Sequence, residues 1–364
     1  MYVNSVDAII GLQYGDEGKG KIAASISRQI DYNCVARYNG GSNAGHSVHF
    51  NDRPTLKLHQ IPTGIVYKKR GHVGAGTLVN YEKLRTEVLH FQEIMGFNPY
   101  DYLTISPKAI LVKDKHIVED KLVQALSQGS TSSGVAPAYA SFYNRTANLA
   151  KDSLLIHNRE SLVKELLHTD RLLLEGAQGW YLNPYQGNYP YTTSSSSHPA
   201  SAAVTFGFPA NKIKNIIGVA KCYETRSGID PDFTKVLNIA GNYEECLVDN
   251  TKYYEKIVEL GNEYGVTTGR KRAVRFLDLT RLINSVNDSG TNILVLQKWD
   301  ILQELAYYYD NSFCFYMDTH LNIFSSLENM IQAVLDILKT NCPELKEILI
   351  SASPICDIDW NEFL

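Results

Sequence analysis

Residues Gly11-Leu-Gln-Tyr-Gly-Asp-Glu-Gly-Lys-Gly-Lys21 constrain the fold of this chain more than any other stretch. They follow a short apolar run, Val6 to Ile10, broken only by Asp7, and precede Ile22 to Ile30, which reads as a helix. Strand, glycine loop and helix in that order make an anion site. Backbone N–H groups at the helix start point at the anion, and glycines let the backbone come close. The loop departs from a standard P-loop. Gly15 to Lys21 fits G-x-x-x-x-G-K, but Ile22 stands where a magnesium-binding Ser or Thr belongs, and Asp16 and Glu17 set carboxylates beside the phosphates. A carboxylate there makes sense if it holds a metal ion or takes a proton from a substrate lying against the phosphates. The competing reading is an ordinary strand-to-helix turn with a capping Asp. Three glycines and two lysines in seven residues weigh against it.

The remaining sequence supports an α/β fold with a mainly parallel central sheet flanked by helices. Strand candidates are Asn33 to Tyr38, Ala109 to Val112, Leu172 to Leu174, Ile213 to Ala220 and Ile293 to Gln297. Helical spacing marks Arg85 to Met95, Ile117 to Ser127 and Ser326 to Lys339, and a further apolar piece, Thr63 to Tyr67, follows the turn signal at Pro62. No linker divides the chain, so residues 1–364 read as a single domain, a P-loop-like nucleotide-binding core with elaborations. In such sheets ligands bind beyond the carboxyl ends of the strands, so the glycine-rich loops are expected to converge on one cleft.

The 364 residues carry a net charge of -4, which gives no support for nucleic-acid or anionic-membrane binding. Cys34, Cys222, Cys246, Cys314, Cys342 and Cys356 are scattered without a C-x-x-C pair. That argues against a zinc site or disulfide framework and for reduced thiols in a cytoplasmic setting. No basic segment followed by an apolar run opens the sequence, and no apolar run approaches transmembrane length.

Further segments carry candidate chemistry. Asn43-Ala-Gly-His46 places a His after a Gly/Asn-rich turn, suited to donate to developing negative charge. Gly129-Ser-Thr-Ser-Ser-Gly134 suits a phosphate or a helix cap, and in Glu175-Gly-Ala-Gln-Gly179 the Gln178 amide can read a base edge. Each is also compatible with a surface turn. Gly265-Val-Thr-Thr-Gly-Arg-Lys-Arg272 suits a small carboxylate, because guanidinium groups bind carboxylates through paired hydrogen bonds, or a solvated basic turn. Asp300, in Lys298-Trp-Asp300, can accept from N1–H and N2–H of guanine or cap a helix.

Taken together and in order, these segments resemble the adenylosuccinate synthetase family over nearly the whole chain. The family's G-x-Q-W-G-D-E-G-K-G-K stands at Gly11 to Lys21 with Tyr14 for Trp, and G-G-x-N-A-G-H at Gly40 to His46. L-H-x-I-P-[ST]-G stands at Leu58 to Gly64, E-G-A-Q-G at 175–179, Y-P-Y-x-T-S-S at Tyr189 to Ser195 and T-T-G-R-x-R at Thr267 to Arg272. The resemblance implies a ligase that joins L-aspartate to C6 of a 6-oxopurine nucleoside monophosphate through a 6-phosphoryl intermediate, driven by a nucleoside triphosphate with Mg2+.

By the same resemblance Asp16 removes the N1 proton and, with the Gly45 carbonyl, binds the metal; His46 stabilises the phosphoryl group and Lys19 joins them at the chemistry. Gly15, Glu17, Gly18, Gly20 and Lys21 would hold the triphosphate, with Lys298, Asp300, Ser351, Ser353 and Pro354 around its base. Asn43, Ser130, Thr131, Gln178, Thr193 and Arg270 would hold the purine nucleotide, and Arg145 would reach it from a neighbouring subunit, implying a homodimer. Thr267, Thr268, Arg270 and Arg272 would take L-aspartate.

The sequence also departs from the family pattern. G-T-T-G-x-G-x-G-P-A-Y-x-D-K reads here as Gly129 to Phe142 without its Asp and Lys, and Ser353 replaces Gly in the late [ST]-x-G-P motif. The shorter chain resembles the compact archaeal and phage branch. Phage members include enzymes that take dGMP instead of IMP and make N6-succino-2-amino-2′-deoxyadenylate. A nucleotide loop that has drifted while the chemical residues are kept leans towards dGMP; the retained Asp16 counts towards IMP with GTP. A catalytically inactive nucleotide-binding regulator would show damage at Asp16, His46 or Arg270, and none is visible.

Overall fold

The computed structural model describes residues 1–123, 127–152, 162–234, 250–265, 269–308, 313–318, 320–353 and 355–364. Its frame is an eight-stranded sheet. The strands are β1 (Tyr2–Gly11), β2 (Cys34–Arg37), β3 (Arg70–Val73), β4 (Leu103–Ile105), β5 (His168–Glu175), β6 (Ile213–Lys221), β7 (Ile293–Gln297) and β8 (Glu347–Ser351). They lie in the order β8-β7-β6-β1-β5-β2-β3-β4 and every neighbouring pair is parallel.

A parallel sheet is covered on both faces, so its central strands must be apolar on both sides. β1 shows this. Ile9 faces helix α1 (Lys19–Gln29), packing with Ile22, Ala23 and Ile26, while Val6 and Ala8 face Ala202, Ala203 and Phe208. Asp7, the one polar break in the run, is buried but satisfied: Tyr32 donates to it at 2.6 Å and Asn215 at 2.8 Å.

The chain passes from β1 through α1 to β2 on one side, and later builds β6, β7 and β8 on the other. The strand order therefore reverses beside β1, opening a crevice at the carboxyl edge. A second sheet sits at the end of β6. Tyr223–Arg226 pairs antiparallel with Ala273–Asp278, which runs parallel to Phe313–Met317, itself paired antiparallel with His320–Phe324. This sheet delivers the segment around Arg272 to the crevice.

The structure corrects several local expectations. Thr63–Tyr67 is a 3-10 turn, and the strand comes after it as β3, whose Arg-Gly-His-Val sequence carries almost no apolar pattern. The helix expected over Ile117 to Ser127 spans Asp114–Leu122, and 124–126 lie outside the described residues. The Ile213 and Ile293 strands and the helix capped by Ser326 stand where their periodicity places them.

The carboxyl-terminal segment locks α1 in place. Trp360 is fully buried; its backbone N–H donates to Gln29 at 2.9 Å and its indole N–H to Ser25 at 3.1 Å. Trp360→Ala is expected to lower stability by about 3–5 kcal/mol, read as a fall in the urea midpoint. Trp360→Phe should recover most of it.

Candidate active site

The loop after β1 is shaped by its own carboxylate. Glu17 is buried and folds back into the turn, where Oε1 accepts from the N–H of Gln13 at 3.2 Å and of Gly15 at 2.8 Å. Its other oxygen takes the Lys19 ammonium at 2.6 Å. A Cβ on Gly11 would lie 2.2 Å from this carboxylate, so only glycine fits at the end of β1. Gly15, Asp16 and Gly18 are all left-handed, with φ of 86, 61 and 90. Asp is among the non-glycine residues that tolerate this region. The two unexpected carboxylates thus separate: Glu17 turns inward and Asp16 faces the crevice. The Glu17 side chain itself works inside the loop, with Lys19 as its partner.

Asp16 meets the arginine segment. Arg272 Nε lies 2.9 Å from Asp16 Oδ2, and the Ser227 hydroxyl donates to the same oxygen at 3.3 Å. Among the described residues, Asp16 Oδ1 has no partner. Arg270 reaches the other way, donating to the carbonyls of Gly129 at 2.9 Å and Ser130 at 3.3 Å. Thr267 and Thr268 lie outside the described residues.

His46 opens the short strand His46–Val48 and packs where Gly20 of α1 lacks a side chain; a Cβ there would come 2.7 Å from His46 Cβ. Its Nδ1 bonds Glu175, the last residue of β5. Glu175 also accepts from the Thr63 N–H at 2.8 Å and hydroxyl at 3.1 Å, and Arg37 lies 3.9 Å away. Burial alone pushes the Glu175 carboxyl up, but His46, Arg37 and Thr63 hold it below the usual carboxylate range. Burial and Arg37 push the imidazole down to about 4. Burial and Arg37 thus favour the neutral imidazole, and the Glu175 carboxylate, an acceptor only, favours a proton on Nδ1. Donating to a phosphoryl group requires a second proton on the other nitrogen, which a bound anion favours.

The nucleotide-side segments meet through the loops after β2 and β5. The Asn39 amide and the Ser195 hydroxyl each lie 3.4 Å from Gln178 Oε1, and Gln178 is held left-handed with φ of 59. Asn43 accepts from the Gly41 N–H at 3.1 Å, and the Thr193 N–H donates to the Leu182 carbonyl at 2.7 Å. The drifted loop is pinned by Asp120, which accepts from Ser130 at 2.5 Å and from the Gly134 N–H at 2.7 Å, while Thr131 bonds Ser133 at 3.1 Å. Sequence reading missed Asp120 because it lies on the exposed-looking helix before the loop. Arg145 is exposed just beyond helix Val135–Tyr143.

At the far side, Lys21 donates to Ser351 Oγ at 3.0 Å and to the Ser353 carbonyl at 2.8 Å, tying α1 to the end of β8. Burial brings its ammonium down to about 8. Lys298 occupies the N-cap of helix Trp299–Leu305 and donates to the Gly261 carbonyl at 3.1 Å. Asp300 sits in the first turn and is not the cap, which removes that alternative. Pro354 lies outside the described residues.

Tyr14, in place of the family's Trp, changes the chemistry beneath the loop. Its hydroxyl accepts from Arg275 at 3.1 Å and from Arg281, and the guanidiniums of Arg226 and Arg275 stand 5.4 and 5.3 Å from its ring centre. An indole N–H is a donor only and could not accept from these arginines.

Among the described residues no group of three or more His, Cys, Asp or Glu converges on a metal site. Mg2+ does not require one, since it is bound through one or two carboxylates completed by substrate phosphates and water. Asp16, with one oxygen uncommitted beside the loop, and the half-buried Gly45 fit that pattern.

Comparison with known proteins agrees with this arrangement. The adenylosuccinate synthetase family profile matches residues 8–157 and 148–309. The adenylosuccinate synthetase of Thermoplasma acidophilum is 33% identical over 347 residues, covering 81% of this chain and 75% of its own. That of Lysinibacillus sphaericus is 32% identical over 351 residues, 82% of this chain and 77% of its own. Among solved structures, fully ligated adenylosuccinate synthetase from Plasmodium falciparum superposes with a TM-score of 0.78 at 23% identity, over 96% of this chain and 98% of that one. Cyanophage S-2L succinoaminodeoxyadenylate synthetase, bound to dGMP and dATP, gives 0.65 at 19% identity, over 93% and 100%. At these identities the two structures speak for the fold. The chain belongs to the adenylosuccinate synthetase family of C–N bond-forming ligases.

Proposed function

We propose that residues 1–364 form one ligase unit that joins L-aspartate to C6 of IMP at the expense of GTP. The observation that carries the choice of acceptor is the state of Asp16. Arg272 and Ser227 occupy Oδ2, and Oδ1 alone is uncommitted among the described residues. Hypoxanthine presents a single N1–H on that edge, which one oxygen satisfies. Guanine presents N1–H and N2–H side by side and calls for both oxygens. Asp300, at the end of β7, supplies the carboxylate that a guanine base of the donor requires.

The residues then divide the work. Asp16 takes the N1 proton, so that O6 attacks the γ-phosphorus and GDP leaves. His46, oriented by Glu175, stabilises the transferring phosphoryl group, and Lys21 and the loop N–H groups hold the phosphates. Arg270 and Arg272 seat L-aspartate, whose amine attacks C6 and expels phosphate. The second lone pair of Asp16 Oδ1, left over when the first accepts N1–H, and the Gly45 carbonyl would hold Mg2+, which would neutralise phosphate charge. Arg145, exposed beyond its helix, would reach the nucleotide of a second copy in a homodimer. The described residues include no helix long and apolar enough to cross a membrane.

A second reading keeps the reaction and changes the acceptor to dGMP. It is favoured by the drift across Gly129 to Phe142 and by the cyanophage relative solved with dGMP and dATP. It requires Arg272 and Ser227 to release Oδ2.

Purified protein with L-aspartate and Mg2+ should release phosphate fastest with IMP and GTP. Faster turnover with dGMP would replace the first reading by the second, and none with any pair would favour a nucleotide-binding regulator. Asp16→Asn should lower kcat by about 10²–10⁴-fold; near-normal turnover would remove its role as base. Because Lys21 loses its charge above about pH 8 in the free protein, kcat/KM for the triphosphate is expected to fall as pH rises past that value. Lys21→Arg should abolish this limb of the profile.

A further inference from the structure

We infer that Glu263 is the positioning residue that aims Arg272 at both the substrate aspartate and Asp16; this rests on the reading that Arg272 binds L-aspartate. Glu263 belongs to none of the motifs that carry the family resemblance. It follows helix Asn250–Gly261 and begins a narrow hairpin. The Arg272 N–H donates to the Glu263 carbonyl at 3.0 Å, Tyr264 pairs with Lys271, and the Gly265 N–H donates to the Arg270 carbonyl at 2.8 Å. The backbone of Glu263 thus clamps the base of the arginine segment.

Its side chain holds the guanidinium itself. Glu263 Oε2 takes Arg272 Nη1 at 2.5 Å, and Oε1 takes the Tyr223 hydroxyl at 2.7 Å. The Lys221 ammonium at the end of β6 lies 3.2 and 3.3 Å from the two oxygens. The carboxylate is 1% exposed and every one of these donors is fixed by a strand end or the hairpin. Burial pushes the carboxyl up, but Lys221 and Arg272 bring it to about 2, so it stays ionised.

The consequence for Arg272 is geometric. Nη1 is tied to Glu263 and Nε lies against Asp16, so the direction of the guanidinium is set from both sides. The two cations Lys221 and Arg272 are matched by the two anions Glu263 and Asp16. Without Glu263, the cations face each other unneutralised and Arg272 is drawn wholly onto Asp16, away from the substrate carboxylate.

Glu263→Ala and Glu263→Gln in the full chain test this by steady-state kinetics. KM for L-aspartate should rise about tenfold or more in the Ala variant, because a charge-assisted hydrogen bond is lost. KM values for the two nucleotides should change less than KM for L-aspartate. The Gln variant, which still accepts from Nη1, should recover part of the loss, and it carries the comparison if the Ala variant does not fold. Adding Glu263→Ala to Arg272→Ala should cost little more than Arg272→Ala alone. Unchanged aspartate KM in both Glu263 variants, or multiplicative effects in the double variant, overturns the inference. If the wild-type protein turns over no substrate pair, the proposed function fails by itself. Calorimetric titration with L-aspartate then decides the role of Glu263: binding lost in Glu263→Ala supports it, and equal binding, or none by wild type, overturns it.

Discussion

The Glu17 carboxylate, folded back under the loop after β1, is the contact on which the site depends. It accepts from two backbone N–H groups and an ammonium with almost no access to water. Hydrogen bonds to a charged group contribute about 1.5–3 kcal/mol each, enough to hold Gly15, Asp16 and Gly18 in left-handed backbone. The same fold-back turns the neighbouring carboxylate outward. One acidic residue serves as scaffold and the next faces the crevice.

Around that loop the parallel sheet acts as an assembly device. Because all strands point the same way, the ends of β1, β5, β6, β7 and β8 deliver Asp16, Glu175, Lys221, Asp300 and Ser351 to one edge. Two buried ion-pair systems then organise the edge. Glu175 joins His46, Thr63 and Arg37; Glu263 joins Arg272, Lys221 and Tyr223. Each carboxylate is saturated by donors, which is the condition for keeping a charge out of water. The free protein therefore presents a preformed set of cations beside the partly free carboxylate of Asp16.

The strand at Ile293, the Ile213 strand, the first loop and its helix were legible because their signals are local: alternation, apolar runs and glycines at left-handed positions. Thr63 to Tyr67, apolar after a turn signal, packs as a 3-10 turn under α1, while β3 is nearly patternless and held by its neighbours. The second sheet was not legible at all. Three of its strands, Tyr223–Arg226, Ala273–Asp278 and Phe313–Met317, are brought together from far apart in sequence, and its Arg275 is claimed by Tyr14 and Glu224.

The sequence by itself determined the family and the motifs that carry it, since each motif is a short run that can be read locally. Only the tertiary structure decided which carboxylate faces the crevice. Asp16 and Glu17 are adjacent and chemically alike, and they diverge because backbone handedness sends one to Arg272 and the other into the loop. It also decided that His46 answers to Glu175, 129 residues away, and that Arg272 answers to Glu263. Such pairs are set by which strand ends lie side by side, a property of sheet order that no local pattern carries.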